Sequence, residues 1–193
     1  MSIDLPPPSI DVNPLPYEMR LTRRELRDID LVIIHCTELP DLGMAREFGE
    51  RILYTESQTG NSGHFYIDRD GSIHQYVDPQ YVAHHTKGFN ATSIGIELVN
   101  IGRYPDWMDS RRQSMDQPYT QAQIDALVSL LAQLHRQYPQ LRYLAGHEDL
   151  DTTRVPSSDD ENVQVQRKLD PGPLFPWRQV LERTALTRIH VPE

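Results

Sequence analysis

A chain of 193 residues, 38% of them hydrophobic and 24% charged, is long enough to bury a core without disulfide or metal staples and fits a single domain. No apolar run approaches the ~20 residues that a membrane-spanning helix needs, so no membrane partner is expected. With 19 basic against 28 acidic residues the formal charge is -9, which argues against a surface built to neutralise phosphates, and nucleic acid is not an expected partner.

The first residues carry neither a basic segment nor an apolar one of the kind that directs export, so a cytoplasmic location is expected. Pro6, Pro7, Pro8, Pro14 and Pro16 make residues 1–25 read as a Pro-rich arm that wraps on the body or stays loose, with the folded domain over 26–193. Leu31-Val32-Ile33-Ile34 is a short apolar run rich in β-branched residues, as in a buried central strand, and His35 ends it. A polar residue at the end of such a strand is either a structural cap or the edge of a cleft. Cys36, the only cysteine, rules out an intramolecular disulfide and reads as a small buried hydrophobe.

Met44, Ala45, Phe48, Ile52 and Leu53 fall at helical spacing, which predicts a packing helix over 41–54. Two β-rich runs around Asp70-Gly71 then predict a hairpin, with His64 just before its first strand and His74 on its second. His74 reads as solvated or hydrogen-bonded. For His64 a structural and a functional role stand open. In Ser93-Ile94-Gly95-Ile96-Glu97-Leu98 the period of two puts Ile94, Ile96 and Leu98 on one face and Gly95 and Glu97 on the other. A carboxylate in an apolar strand needs either an ion-pair partner or a raised pKa, and the second suits a general base.

Residues 102–118 read as a surface loop in which Tyr104 and Trp107 anchor the loop or line a cleft. Thr120 and Gln123 form a capping box ahead of an apolar stripe from Ile124 to Tyr138, the clearest helix of the chain, with His135 at its edge and no ligand role. A further buried strand is expected over 141–145. Residues 148–167 are too long and acidic for a tight connection and are expected to cover the surface, stay mobile or form a short lid. Pro176, Trp177, Val180 and Leu181 suggest a terminal helix. The expected fold class is α/β (α+β), one domain with a central mixed β-sheet flanked by helices.

The stretch 146–172 opens on Gly146-His147-Glu148 and closes on Lys168-Leu169-Asp170-Pro171-Gly172. An imidazole, a carboxylate and an ammonium are parts of a metal-assisted hydrolase that lacks only a third ligand and a base. These runs, with Val32-Ile33-Ile34-His35, Gly63-His64-Phe65-Tyr66-Ile67 and Ser93-Ile94-Gly95-Ile96-Glu97-Leu98, occur in one order over residues 30–180. Together they resemble the zinc-dependent N-acetylmuramoyl-L-alanine amidases shared by phage lysozyme-type amidases, anhydro-muropeptide amidases and peptidoglycan recognition proteins. The resemblance implies one Zn²⁺ per chain on His35, His147 and Asp170, with Glu97 and Lys168 acting on the substrate. It also implies that His85, Asn90 and His64 line the substrate groove, although His84 leaves the alignment at His85 open by one residue. The implied substrate is peptidoglycan or a soluble muropeptide, cut between the lactyl group and L-alanine, by a monomer. A non-catalytic peptidoglycan-binding module and a zinc peptidase acting on the stem peptide are the alternatives. Gly63 departs from the pattern, since some relatives carry Tyr there.

Overall fold

The structure is a computed structural model that describes residues 7–190. Its frame is a seven-stranded mixed sheet in the spatial order β1-β4-β3-β5-β2-β6-β9. The strands are β1 (Ile10–Val12), β2 (Leu31–Cys36), β3 (Phe65–Ile67), β4 (Ile73–Gln75), β5 (Ser93–Leu98), β6 (Tyr143–Gly146) and β9 (Thr187–Arg188). Only the β3/β4 hairpin is antiparallel; every other pairing in this sheet runs parallel. All six residues of β2 are buried, as its continuous apolar run requires for a central parallel strand.

Alternation along β2 and β5 assigns the two faces. Val32, Ile34, Ile94, Ile96 and Leu98 enter the main core together with Ile124, Leu127, Leu131 and Leu134 of α2 (Gln121–Gln137). Each such buried aliphatic side chain contributes ~1.5–3 kcal/mol of apolar burial. The helix starts where its sequence signals it: Thr120 accepts from Gln123 N at 3.1 Å, and the Gln123 side chain reciprocates at the Thr120 amide, also at 3.1 Å. His135 turns Nδ1 to the Leu141 carbonyl, 2.9 Å away, and has no part in a site.

The opposite face is covered by α1 (Leu42–Glu50), capped by Asp41, and by the N-terminal segment. Leu15, Tyr17 and Leu21 are buried there in one cluster with Ala45, Tyr66, Tyr76 and Tyr81, and β1 adds a parallel strand at the sheet edge. Within the expected arm, residues 10–12 therefore pair in the sheet and Leu15, Tyr17 and Leu21 pack on the body; residues 1–6 lie outside the described residues. The predicted helix over 41–54 stops at Glu50, and Ile52, Leu53 and Tyr54 are exposed. Residues 148–167 are an ordered unit: β7 (Arg154–Pro156) pairs antiparallel with β8 (Gln164–Gln166), and Asp159 accepts from the amide and hydroxyl of Ser110. His74 is hydrogen-bonded through Nδ1 to Asp11, 3.2 Å away.

One residue ties the N-terminal segment to the sheet. Arg24 donates to the carbonyls of Pro79 (2.7 Å), Asn90 (3.0 Å), Ala91 (3.2 Å) and Ser93 (2.7 Å), with no carboxylate among these partners. Its burial lowers the guanidinium pKa to about 10, where it is still charged at neutral pH. Arg24→Met leaves four acceptors short of a donor and is expected to lower unfolding free energy by about 2 kcal/mol or more, read from urea denaturation.

Candidate active site

Parallel pairing aligns the carboxyl ends of β2, β5 and β6, and an open α/β sheet presents its chemistry at that edge. The register sets His35 of β2 beside Glu97 of β5 and Ile34 beside Gly146 of β6. β6 runs directly into α3 (His147–Leu150), so His147 begins a helical turn where the strand ends. Asp170 arrives from the other side of the β7/β8 unit, and its backbone carbonyl accepts from Glu148 N at 2.9 Å, which fastens the two ligand-bearing segments together.

His35, His147 and Asp170 are all buried, and their ligand atoms lie within 4.8 Å of one another. Asp170 Oδ2 is 2.9 Å from His35 Nδ1 and 3.2 Å from His147 Nδ1. Burial depresses the His35 imidazole to about 4, even though its hydrogen bond to Asp170 pulls the other way. Burial works to raise the Asp170 carboxyl, but the His147 charge and the hydrogen bonds from His147 and His35 outweigh it and hold Asp170 well below the usual carboxylate range. At neutral pH His35 is thus neutral and Asp170 ionised, the forms in which they donate to a cation.

The donor set fits a divalent ion on a further count: Asp170 Oδ1 is buried with no hydrogen-bond partner. An orphaned carboxylate oxygen is costly unless something positive faces it. Two imidazoles and one carboxylate are a familiar catalytic zinc set, which leaves a position open. Behind the ligands, His35 Nε2 lies 3.1 Å from His85 Nδ1 and 3.3 Å from Thr86 Oγ1. The tautomer that frees His35 Nδ1 carries its hydrogen on Nε2, and either neighbour can accept it.

The three side chains open onto a cleft of about 1080 Å³ that is also lined by Glu97, Lys168, His85, Asn90, Tyr66, Trp107 and Arg103. Burial, and next the charge of Asp170, push the Glu97 carboxyl well above its ordinary value, while Lys168 opposes them. Gly63 has little room for a side chain, since a Cβ there would lie 2.9 Å from Glu97 Cγ.

The residues expected in the groove divide. His85 reaches the cleft and also touches His35. Asn90 reaches it with its amide oxygen committed to the backbone N–H groups of His85 (3.1 Å) and Thr86 (2.7 Å). His64 does not reach it: fully buried, it accepts from Gly95 N at Nδ1 (3.0 Å) and turns Nε2 to the Tyr81 carbonyl (3.1 Å). Trp107 both lines the cleft and is anchored, donating Nε1–H to the Glu38 carbonyl at 3.1 Å. Cys36 is buried and free.

The sequence carried no sign of Glu38 and Arg103, a buried pair 65 residues apart that meets through Nε–Oε1 at 2.7 Å and Nη2–Oε2 at 2.9 Å. Arg103 also donates to the carbonyls of Gln166 and Arg167, immediately before Lys168. Thr86 stands next to a histidine already singled out, and that adjacency was its only available signal.

Comparison with known proteins decides the family, since the model of the N-acetylmuramoyl-L-alanine amidases matches residues 25–173. The chain belongs to the N-acetylmuramoyl-L-alanine amidase family. It is an amide hydrolase with a mixed α/β sheet, as the motifs implied. It is 36% identical over 146 residues to the endolysin of Klebsiella phage KP32, covering 74% of this chain and 88% of that one. Against the N-acetylmuramoyl-L-alanine amidase AmiD of Escherichia coli it is 36% identical over 95 residues, 49% of this chain but only 28% of AmiD's own length. The solved complex of Escherichia coli AmiD with anhydro-N-acetylmuramic acid-L-Ala-D-γ-Glu-L-Lys superposes with a TM-score of 0.59 at 27% identity, over 81% of this chain and 57% of that one. No helix among the described residues is long and apolar enough to cross a membrane.

His64 offers a titration at a group that is not itself a candidate ligand, its ring packed edge-on against His85 at 5.6 Å between centroids. Burial, and then the Arg24 charge, lower its pKa to about 3. The unfolded chain therefore takes up a proton below about 6.5 that the native state refuses, and stability falls as pH drops from 6.5 towards 3. His64→Gln removes that proton. The unfolding free energy of the parent minus that of the variant is expected to fall by about 1.4 kcal/mol per pH unit across this window, measured by denaturant titration at several pH values.

Proposed function

We propose that the cleft is a zinc-dependent amidase site acting on the bond between the muramoyl or anhydro-muramoyl lactyl group and L-alanine of peptidoglycan or muropeptides. The observation that carries this reading is the β2/β5 register, which sets a carboxylate of raised pKa, Glu97, beside His35 of the buried His35–His147–Asp170 cluster. A metal-binding pocket without a base would suit a binding module. A base on the adjacent strand suits hydrolysis.

His35, His147 and Asp170 hold the ion, which when bound supplies Lewis acidity that makes water nucleophilic near neutral pH and polarises the scissile carbonyl. Glu97 takes the proton of the attacking water, and the water oxygen bonds to the lactyl carbonyl carbon. Lys168 faces the negative charge that develops on the carbonyl oxygen. Glu97 returns the proton to the alanine nitrogen as the C–N bond breaks, leaving a lactyl carboxylate and a free peptide amine. The positive charge of Lys168 also favours the ionised form of Glu97 before reaction. His85 and Asn90 shape the wall next to the ligands, and Trp107 the wall by Glu38.

Hydrolysis of a defined muropeptide, with products weighed by mass spectrometry, tests the reading. Free lactyl sugar and intact peptide are expected; cleaved stem peptide would instead make the protein a peptidase. Lys168→Ala is expected to keep zinc and lose about 10²- to 10³-fold in turnover, and Glu97→Gln to keep zinc and lose about 10²- to 10⁴-fold. Parent-like rates in either variant remove that residue from the mechanism.

A further inference from the structure

Residues 174–190 lie beyond the span that the family model matches, yet they close on the back of the metal centre. They contribute α4 (Trp177–Leu181) and β9, the strand that pairs with β6. Gly146, the residue before His147, has no room for a side chain: a Cβ would lie 2.8 Å from Pro171 Cδ and 3.0 Å from Trp177 Cζ2. Arg188 of β9 stacks on that tryptophan, its guanidinium carbon 3.7 Å from the ring centroid.

The same guanidinium forks onto Asp149, with Nε donating to Oδ2 at 2.9 Å and Nη2 to Oδ1 at 2.8 Å. Asp149 Oδ2 in turn accepts from Gly146 N at 2.7 Å. His147 is thereby bracketed, with the residue before it and the residue two after it joined through one carboxylate that Arg188 orients. The support matters because α3 is a single turn of four residues, and a turn of that length does not hold its own geometry.

We propose that Arg188 is a positioning residue of the metal centre, fixing His147 through Asp149 and Gly146, so that the segment beyond the family match is part of the site. The proposal builds on the reading that His35, His147 and Asp170 hold a divalent ion. Ligand atoms must be held to within about 0.5 Å to bind metal well, and loosening the turn spends binding energy on re-ordering it. Asp149 keeps a second partner in His190 Nδ1 at 2.8 Å, so a variant at Arg188 is expected to fold.

The test compares the parent protein with Arg188→Gln, Arg188→Lys and Arg183→Gln. Arg183 belongs to the same segment but pairs with Asp125, at 2.7 Å, away from His147. Zinc affinity is read by chelator competition and ligand geometry by the visible absorption of the cobalt-substituted protein. Arg188→Gln is expected to bind zinc about 10-fold more weakly and to shift the cobalt bands. Arg188→Lys, which keeps the charge but not the fork, should show a smaller change in the same direction, and Arg183→Gln none. The proposal is overturned if folded Arg188→Gln matches the parent in both readouts, or if Arg183→Gln loses as much. Should Arg188→Gln not fold, Arg188→Lys decides by the same two readouts. A parent protein that takes up neither zinc nor cobalt sinks the metal-site reading itself, and this proposal with it, an outcome distinct from a parent that binds while Arg188 proves indifferent.

Discussion

A carboxylate held out of water between two imidazoles is the constraint on which the centre depends. Asp170 offers Oδ2 to both His35 and His147, and Oδ1 has no partner. Ionising a carboxylate in such a place is unfavourable unless positive charge answers it. The geometry makes sense as a set of donors arranged around a cation. Burial suppresses protonation of His35, and the His147 charge with the hydrogen bonds from both rings suppresses protonation of Asp170, so the donor atoms are organised by the fold itself.

The sheet makes that arrangement possible. His35, Glu97 and His147 are far apart in the chain, but parallel register brings them to one edge without any loop having to aim them. Ile34 and Ile96 go into the core beneath α2 while His35 and Glu97 turn the other way. One alternation thus fixes both the hydrophobic layer and the side chains that face the cleft. A slip by one residue would bury Glu97 in the apolar core and face Leu98 to the cleft, so the core's demand for aliphatic side chains also enforces the chemistry.

This coupling explains what the sequence made legible. The apolar run at Leu31–Ile34, the alternation in β5 and the capping box at Thr120 are local patterns whose physical causes lie within a few residues, and each became the element it suggested. His35, Glu97 and His147 each follow or interrupt such a pattern, whereas Lys168 and Asp170 stood out only through the motif at 168–172 and the family resemblance; the structure brings all five to one cleft. His64 is where local pattern left two roles open. It sits beside a strand as His35 does, but its ring points between the sheet and the 79–93 loop, where backbone partners satisfy it. Nothing within its own stretch distinguishes those two destinations. The N-terminal arm is a similar case: its prolines left open whether it wraps on the body or stays loose, and Leu15, Tyr17 and Leu21 are buried against tyrosines contributed by the hairpin and the residues after it.

What local pattern could not reveal was the layer behind the motifs, built largely from arginines. Arg24 gathers the carbonyls of Pro79, Asn90, Ala91 and Ser93, ahead of and at the start of β5. Arg103, paired with Glu38, gathers those of Gln166 and Arg167 ahead of Lys168. Arg188 grips Asp149 beside His147. Each contact spans tens of residues in the chain, so no periodicity marks it. Arginine suits the task because its planar fork offers five donors in a fixed geometry and stays charged when half-buried, whereas a lysine ammonium would lose either its proton or its directionality there. A buried pair such as Glu38–Arg103 adds little net stability compared with an apolar substitute, because desolvation offsets most of the attraction. Its consequence is geometric: through Arg103 it ties Glu38 to the carbonyls of Gln166 and Arg167, immediately ahead of Lys168 on the cleft wall.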